Sequence, residues 1–383
     1  MRNHPQPVPD GTFWRGRRVL ITGHTGFKGQ WLALWLGQMG APVWGYARSE
    51  RAQPFADVTA YRGDICHAEA LQTAVQAAQP EVIFHLAAQP LVRRAFHDPV
   101  DTYRTNIVGT ANLLNCARQQ ACVRAVLVVT TDKCYEPQPG ALSFREDDRL
   151  GGSDPYSNSK ACMELVTHAF AQSYWPAGGA GIATARTGNL IGGGDWAEDR
   201  LIPDLMRRFA AGQPPTLRNP QALRPWQYVL EVLRGYLLLA ERLVQAPRAA
   251  SGAWNFGPEA DGVRPVGWVA EQLARAWGMA AQWSTQPGGL PQEIPMLQLD
   301  CSKASARLNW RPLLPLEVAL AATARWYRQA AAGADVRQVS QALLAEYCAQ
   351  IGELACAGIS GCVRTAPRST PSSAGRMPGS SWV

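Results

Sequence analysis

The sequence predicts an α/β fold: a Rossmann-type doubly wound parallel sheet with a smaller, loop-rich C-terminal substrate lobe. Two observations support this prediction. Short apolar runs alternate with amphipathic stretches of helical length from residue 17 onward, and a glycine-rich turn follows the first apolar run. Such alternation is typical of β-α-β units, whose strands are parallel. The runs lack strict polar alternation, which indicates that helices cover both faces of the sheet.

The predicted elements follow one another in regular order. The first strand is predicted at 17–22, and apolar residues at helical spacing predict a helix at 29–40 that stops at Gly40. Further strands are predicted at 42–47, 82–88, 123–131 and 181–190, and further helices at 67–78, 105–120 and 157–174. A later helix at 228–245 and a strand near 253–257 are expected to pack back onto this sheet.

The predicted domain boundary lies at residue 188. Residues 12–188 form the dinucleotide-binding Rossmann domain, and residues 189–345, with long loops rich in Pro and Gly, form the substrate-binding lobe. Residues 346–383 are a tail that turns rich in Ser, Gly, Pro and Ala. Little structure is expected there after about residue 363.

Composition narrows the class of protein. The chain has 383 residues, 46% of them hydrophobic, enough for a sizeable core. No apolar run is long enough to span a membrane and no signal peptide is evident, so a cytoplasmic location is expected. The nine cysteines form no C-x-x-C pair, which argues against disulfides and a metal site. The net charge of +7 comes from scattered Lys and Arg, so an anionic small molecule is expected rather than nucleic acid.

The glycine-rich turn "TGHTGFKG" predicts dinucleotide binding. Gly23, Gly26 and Gly29 have the spacing G-x-x-G-x-x-G at the junction of the first strand and its helix. Glycine permits the tight turn and lets the backbone approach a pyrophosphate, which binds the amides at the positive end of the helix. A lone triplet of glycines also occurs in ordinary loops. Its place after the first strand of a β-α-β series favours the functional interpretation.

The choice between NAD and NADP stays open from these residues. An acid at the end of the second strand selects NAD and an Arg there can accept the phosphate of NADP, and Arg48 occupies that region. Asp64 is expected to contact the adenine, and small Ala87 and Ala88 would let the cofactor pass. His85 is interpreted as a core histidine. The residues predicted to contact the cofactor are Gly23, His24, Thr25, Gly26, Phe27, Gly29, Arg48, Asp64, Ile65, Leu86, Ala87, Ala88, Gln89, Asn106, Tyr156 and Lys160.

A tyrosine and a lysine at helical spacing predict alcohol oxidation. Tyr156 and Lys160 lie four residues apart, on one face of the predicted helix. The ammonium is expected to lower the pKa of the phenol, as would the positive nicotinamide ring. Tyr156 could then remove the proton of a substrate alcohol as hydride leaves its carbon.

The strand at 123–131 runs directly into Thr131, Asp132 and Lys133. A turn would explain Thr and Asp, but ligands of parallel sheets bind at the carboxyl ends of the strands, where these residues lie. A plain dehydrogenase needs only the hydroxyl there. The additional acid and amine predict an additional proton transfer.

Several segments together resemble the extended short-chain dehydrogenase/reductase superfamily and, within it, the CDP-glucose 4,6-dehydratase group. They are TGHTGFKG, HLAAQPLVR, VTTDKCYEP, DPYSNSKACMELV, RTGNLIGGGDWAEDRLIPD and RPWQYVL. The glycines and the Tyr-Lys pair mark only the superfamily. The Asp-Lys pair after Thr131 is narrower, because most sugar-nucleotide 4,6-dehydratases have Asp-Glu or Glu there and epimerases lack the acid.

The resemblance implies an NAD-dependent hydro-lyase that makes CDP-4-dehydro-6-deoxy-glucose from CDP-glucose, in deoxysugar and O-antigen polysaccharide biosynthesis. Tyr156 would deprotonate the 4-hydroxyl while hydride passes from C4 to NAD, with Thr131 bonded to the 4-oxygen. Lys133 would remove the C5 proton, and protonated Asp132 would protonate the departing 6-hydroxyl. Hydride would then return to C6, so the cofactor would stay bound.

The resemblance also implies a set of substrate contacts and an assembly. The residues expected to bind the substrate are Gln89, Thr131, Asn189, Arg200, Arg218 and Arg224. Tyr228 stands where family members usually have His, which affects the expected nucleotide pocket. A homodimer, or a tetramer, is expected through helices such as 105–120 and 157–174. The alternatives are another sugar-nucleotide dehydratase or 4-epimerase, and a non-catalytic dinucleotide sensor, which would not need an intact Tyr-Lys pair.

Overall fold

The computed structural model describes residues 6–50, 54–137, 143–175, 179–285 and 298–357. The strands, β1 to β12 in chain order, are Val19–Thr22, Val43–Ala47, Thr59–Arg62, Val82–His85, Ala125–Val129, Gly181–Thr187, Asn189–Ile191, Thr216–Leu217, Leu223–Tyr228, Gly252–Phe256, Val263–Pro265 and Ser284–Thr285. The α-helices, α1 to α14, are Gly11–Trp14, Phe27–Gln38, Ala68–Ala78, Val92–His97, Pro99–Tyr103, Gly109–Arg118, Pro155–Tyr174, Leu201–Ala210, Val229–Gln245, Pro247–Ala250, Val266–Trp277, Ser302–Leu308, Leu316–Ala331 and Val336–Ala357.

Seven parallel strands form the central sheet, in the order β10-β6-β5-β4-β1-β2-β3. The order reverses direction at β1, as in a doubly wound fold. This confirms the predicted Rossmann-type sheet. The strand expected near 253–257 is β10, which adds to the edge of the sheet beside β6.

Two apolar cores lie on opposite faces of the sheet. The central strand β5 shows how they form: Ala125, Leu127 and Val129 pack into the core that contains α2 and α9, whereas Val126 and Val128 face the core of α3 and α6. All five residues are buried. A strand that is apolar at every position is therefore explained by helices on both sides, as the sequence predicted.

Two predicted elements differ from those observed. The strand expected at 181–190 is two strands, β6 and β7, which belong to different sheets and separate at Gly188. A side chain at Gly188 would meet the carboxylate of Asp132 at 3.0 Å, so the chain turns here at close contact with the cavity. The helix expected at 105–120 begins as a π-helix at Arg104–Val108 and becomes α-helical only at Gly109.

The second part of the chain is built around a small mixed sheet. Strand β9 pairs parallel to β7 and antiparallel to β11, and α8, α11 and α13 pack together beside it. The predicted helix at 228–245 is α9, which contacts β5 and β6 of the large sheet. The residues of the tail after Ala357 lie outside the described part, as does the predicted loss of structure after residue 363.

No helix within the described residues is long and apolar enough to cross a membrane. Likewise, no cluster of His, Cys, Asp and Glu in this part of the chain could hold a metal ion.

Candidate active site

Two adjoining cavities open at the carboxyl edge of the sheet. The first, of about 390 Å³, lies over the end of β5 and reaches the second part of the chain. The second, of about 260 Å³, lies over the glycine-rich turn between β1 and α2. Their common lining residues are Phe27, Lys28, Leu86, Ala88, Pro90 and Arg200. A ligand longer than either cavity could therefore extend through both.

The glycine-rich turn has no room for a side chain at Gly23 or Gly29, which lets the backbone make the tight turn of a dinucleotide site. Gly23 has a φ of +74°, and a Cβ there would lie 2.8 Å from the amide nitrogen of Ala87. A Cβ on Gly29 would lie 2.4 Å from the carbonyl oxygen of Gly23. Gly26 caps α2, so the free amides of the first helical turn face the cavity, where they can bind phosphate.

Most of the predicted cofactor residues line one or both cavities. They are Gly23, Thr25, Gly26, Phe27, Gly29, Arg48, Asp64, Ile65, Leu86, Ala87, Ala88, Tyr156 and Lys160. Arg48 lies 3.8 Å from Asp64 and is about half exposed, so the two side chains share the end of the cavity expected to hold the adenosine.

Three of the predicted cofactor residues line neither cavity. The imidazole of His24 lies against Gly45 of β2, where a Cβ would lie only 2.4 Å from the ring. Gln89 and Asn106 bond each other: the Asn106 side chain accepts from the Gln89 amide at 2.8 Å and donates to its carbonyl at 3.2 Å. The Gln89 side chain donates to the carbonyl of Leu91 and the hydroxyl of Thr102, and it accepts from the amide of Leu91. We assign these three residues to the support of the site, which also removes Gln89 from the expected substrate contacts.

His85 is confirmed as a core histidine. Its Nδ1 lies 2.7 Å from the hydroxyl of Thr22 and its Nε2 lies 3.0 Å from that of Thr110. Burial lowers the pKa of His85 to about 3, so the ring is neutral, and both of its nitrogens are occupied by these hydroxyls.

Thr131, Asp132 and Lys133 lie together at the end of β5, in the wall of the larger cavity. Thr131 ends the extended chain and caps a short 3₁₀ turn over Asp132–Cys134. Its hydroxyl donates to the Asp132 carboxylate at 2.9 Å. The polar ending of this strand is thus a turn and a cavity wall at once, and the two interpretations of the sequence are compatible.

Asp132 is suited to hold a proton. Its side chain is buried, and burial raises the pKa of this carboxyl, although Lys133 and the Thr131 hydroxyl act against the shift. Burial therefore favours the protonated form of this carboxyl, the form that can donate a proton, more than it would at an exposed Asp.

The helix α7 brings Tyr156 and Lys160 to the same cavity. The carboxylate of Asp154 accepts from the amides of Tyr156 at 2.9 Å and Ser157 at 3.0 Å, and Pro155 fills the first helical position. This capping fixes the start of the helix, because Asp and Pro are the residues preferred at these two positions. The start of the helix sets the direction of the phenol.

The expected lowering of the Tyr156 pKa is wrong for the protein alone. Burial raises it to about 12, and the hydrogen bond with Thr131 and the charge of Arg200 offset burial only in part. Burial also lowers the pKa of Lys160 to about 8, and its ammonium donates to the carbonyl of Val129 at 3.3 Å. Deprotonation of Tyr156 near neutral pH thus requires positive charge beyond that supplied by these side chains.

Glu164, which the sequence did not single out, lies one turn after Lys160 and below the cavity. Its carboxylate accepts from the Thr130 hydroxyl, from that of Thr184 at 2.6 Å and from Arg186 at 2.9 Å. Glu164 and Arg186 are almost completely buried. The negative charge of Glu164 raises the pKa of Lys160 against the effect of burial. The signal in the sequence that could have identified Glu164 was its position four residues after Lys160.

The predicted substrate residues divide into two groups. Asn189, Arg200 and Arg218 line the larger cavity, and Arg200 donates to Asp195 at 2.8 Å. Arg224 lines neither cavity; its guanidinium bonds the carbonyl of Leu223 at 2.9 Å. Arg224 lies on β9, in the pair that β9 forms with β11.

Tyr228 is also remote from the site. It is buried at the end of β9 and packs on Tyr347 of α14, with ring centroids 6.2 Å apart. Tyr228 lines neither cavity, so the structure gives no support to an effect of this residue on the nucleotide pocket.

Further residues in the wall were not predicted. Arg93 donates to Asp199 at 2.7 Å, and Arg218 donates to the same carboxylate at 3.1 Å. Lys28 lies at the junction of the two cavities. Arg93 and Lys28 lie within segments that carried the resemblance, but their direction depends on how the two parts of the chain pack.

A dinucleotide-sized cleft that opens onto a Tyr-Lys pair is typical of the short-chain dehydrogenase/reductase class. The comparison with known families agrees, since residues 19–257 match the NAD dependent epimerase/dehydratase family. This match covers more than half of the chain, and the chain belongs to this family.

Known proteins similar to this chain are sugar-nucleotide enzymes. The CDP-glucose 4,6-dehydratase of Salmonella typhimurium is 43% identical over 351 residues, which are 88% of this chain and 98% of that protein. The dTDP-glucose 4,6-dehydratase of Haemophilus influenzae is 27% identical over 288 residues, or 69% of this chain and 81% of that protein.

Solved structures share the fold. The UDP-glucose 4-epimerase of Thermus thermophilus, in complex with NAD, superposes with a TM-score of 0.72 and 25% identity, covering 82% of this chain and 99% of that one. The dTDP-glucose 4,6-dehydratase of Streptomyces venezuelae, with NAD bound, has a TM-score of 0.70 and 23% identity over 84% of this chain and 99% of that one.

Proposed function

We propose that the protein is a hydro-lyase that converts CDP-glucose to CDP-4-dehydro-6-deoxy-glucose with loss of water. One observation carries this proposal: Asp132 and Lys133 share a cavity with Tyr156 and Lys160. The Tyr-Lys pair suffices to oxidise an alcohol, so the acid and the amine are available for an elimination. Similarity to a CDP-glucose 4,6-dehydratase at 43% identity over most of the chain supports the same reaction and the cytidine nucleotide.

The cofactor supported by the family is NAD. The amides of the glycine-rich turn would hold its diphosphate, Asp64 would receive the adenine end, and Lys160 would hold the nicotinamide ribose. The chemistry that bound NAD supplies is the removal of hydride from C4 and its return to C6. The positive nicotinamide ring would also add the charge that Tyr156 needs to lose its proton.

Tyr156 starts the reaction by taking the proton of the 4-hydroxyl, while Thr131 holds the 4-oxygen. The resulting 4-ketone acidifies the neighbouring C5 proton. Lys133 removes that proton as a base, and the electron pair expels the 6-oxygen. Asp132 delivers its proton to this oxygen, and water leaves. Protonated Lys133 then returns a proton to C5 as the hydride adds to C6, so the sugar undergoes no net oxidation.

The buried position of Asp132 supports its role as the acid, because only the protonated form can assist the departing hydroxyl. Lys133 is half-buried beside it. An epimerase would oxidise C4 and return the hydride to the same carbon, and it would have no use for either group.

Substrate binding is assigned to the second part of the chain, residues 189–345, as the sequence predicted. Asn189, Arg200 and Arg218 would contact the diphosphate of the nucleotide. Guanidinium groups suit this task because their planar fork matches phosphate oxygens. Residues 12–188, with α9 and β10 packed onto them, would hold the cofactor. The cytoplasmic location stays a prediction.

A homodimer is also proposed. Helices α5, α6 and α7 pack in one layer on the sheet, and this layer exposes Val100, Val108 and Leu165, each about half exposed or more. A cluster of exposed apolar side chains is typical of an interface.

Turnover of CDP-glucose tests the proposed reaction. Purified protein is incubated in D₂O with CDP-glucose and, separately, with its UDP, GDP and dTDP analogues. The masses of the products are measured by mass spectrometry. We expect CDP-glucose to lose one water and to gain deuterium at C5, because Lys133 exchanges its proton with solvent. A product of unchanged mass with inverted C4 would indicate an epimerase, and preference for another nucleotide would contradict the cytidine assignment.

A further inference from the structure

Lys28 stands out because the proposed reaction does not use it. It is the second residue of α2, between Gly26 and Gly29 of the glycine-rich turn, and it lines both cavities. Side chains of a helix tilt toward its N-terminus, so that of Lys28 leans over the turn rather than away from it. The ammonium therefore lies where the two cavities join.

No acidic or hydrogen-bonding partner holds this ammonium within the part of the chain that the structure describes. Its nearest aromatic contact is the ring of Tyr236 on α9, with Nζ 5.8 Å from the centroid. Arg200, the other cation at the junction, is already paired with Asp195. Lys28 is thus a partly buried cation without a counter-charge, an arrangement that a structural lysine would avoid.

The surrounding charges make the absence of a partner costly. Burial, and after it the charges of Lys160 of α7 and Arg200 before α8, lower the pKa of Lys28 to about 7, whereas Asp132 acts in the opposite direction. Lys28, Lys160 and Arg200 thus all line the larger cavity, and burial raises the pKa of the Asp132 carboxyl that lines it with them. An anion bound at the junction would remove the imbalance.

We propose that the ammonium of Lys28 binds the diphosphate of the dinucleotide and supplements the amides of the glycine-rich turn. The inference rests on the proposed cofactor site but not on dehydration. The turn brings the diphosphate to the first helical turn, and the lean of the Lys28 side chain brings its ammonium to the same place. A lysine supplies a point charge that is suited to phosphate.

A pH dependence follows from this arrangement. Only the protonated lysine attracts the diphosphate, and binding raises its pKa. Affinity is therefore greatest below pH 7 and falls as the pH rises from about 7 toward the pKa of the complex. Lys160, Asp132, Arg200 and Tyr156 line the larger cavity with Lys28, so the dependence has to be assigned by substitution.

The test measures binding by calorimetry. ADP-ribose is the probe because its diphosphate stays ionised over the whole pH range of the experiment. Lys28→Met is expected to weaken ADP-ribose and NAD by roughly tenfold, the usual effect of one charge-assisted hydrogen bond, and to leave adenosine unchanged. Lys28→Arg should retain the affinity and lose the pH dependence, because a guanidinium does not titrate in this range. Arg248→Met removes the same charge at the amino edge of the sheet and should change nothing.

Thermal melting of the protein without ligand separates this role from a structural one. Loss of an unpaired, partly buried charge should leave the melting temperature of Lys28→Met unchanged or raise it, while the increase produced by ADP-ribose becomes smaller. Unchanged binding of ADP-ribose would overturn the proposal, as would a loss confined to CDP, which would assign Lys28 to the substrate diphosphate. Turnover of CDP-glucose by the wild type tests the proposed reaction independently.

Discussion

At the scale of single residues, the site is distinguished by one buried carboxyl. Asp132 lies against Gly188 and the Thr131 hydroxyl, and burial raises its pKa. The same carboxyl on the surface would be ionised at neutral pH and could not donate a proton. The environment of Asp132, more than its identity, therefore supports an elimination.

Substitution of Asp132 and Lys133 separates the two halves of the proposed reaction. Asp132→Asn and Lys133→Met should each still form reduced cofactor with CDP-glucose, because Tyr156 and Lys160 are intact. Product formation should fall by at least about a hundredfold in each, the usual effect of losing a general acid or base. The reduced cofactor is followed by its near-ultraviolet absorbance and the product by mass spectrometry.

Glu136→Gln is the matched control, since it removes a carboxylate from the same loop. The Glu136 carboxylate pairs with Arg149 and lies outside both cavities. Its product yield should equal that of the wild type. Normal yield from the Asp132 and Lys133 variants as well would exclude both residues from the elimination.

At the scale of elements, a buried network links α7 to the strands below the site. Glu164 of α7 binds Thr130 after β5, and Thr184 and Arg186 of β6. Arg186 also donates to the hydroxyl of Tyr135 at 2.7 Å. The network holds α7 in position against β5 and β6 and keeps a negative charge near Lys160.

Glu164→Gln should shift the pH profile of turnover toward acid. The pKa of Lys160 is about 8, and Glu164 raises it. Loss of that charge lowers the pKa of Lys160, so the protonated lysine, and with it activity, is lost at a lower pH. The alkaline limb of kcat against pH is the measurement, and an unshifted limb would contradict this role.

Thr184→Val is the control for this variant, because it removes one hydrogen bond to Glu164 without removing charge. It should lower the melting temperature slightly and leave the pH profile in place. Glu164→Gln should lower the melting temperature more, because a buried ion pair that loses one partner costs several kcal/mol of unfolding free energy.

At the scale of the whole molecule, the outer face of the helical layer is the remaining apolar surface of interest. Val108 of the π-helix and Leu165 of α7 are 47% and 57% exposed. The π-helix contacts α7, so the two residues belong to one helical layer. This agrees with the helices that the sequence nominated for a dimer.

Val108→Lys combined with Leu165→Lys should convert the proposed dimer to a monomer, because charge at the centre of an interface cannot be desolvated cheaply. The mass in solution, measured by light scattering, decides. Val318→Lys introduces the same charge at an exposed apolar residue of α13 and should leave the dimer intact. A monomeric wild type would end this proposal.

Features that are local in sequence were predictable from the chain alone. Apolar strands, the glycine-rich turn and Tyr156 four residues before Lys160 depend on short-range spacing, and each corresponds to an observed element. The split at Gly188 was missed because the chain there meets Asp132, more than fifty residues earlier in the sequence. The π-helix before Gly109 was also missed, and no local signal in the sequence indicated it.

Directions of side chains were decided only by tertiary packing. Gln89 and Asn106 satisfy each other instead of a ligand, Tyr228 faces α14, and the ammonium of Lys28 lies at the junction of two cavities. Such outcomes depend on partners separated by many residues, and a local pattern carries no information about them. Short-range spacing therefore identified the chemistry, whereas the packed fold chose which polar groups face the ligand and which ones support it.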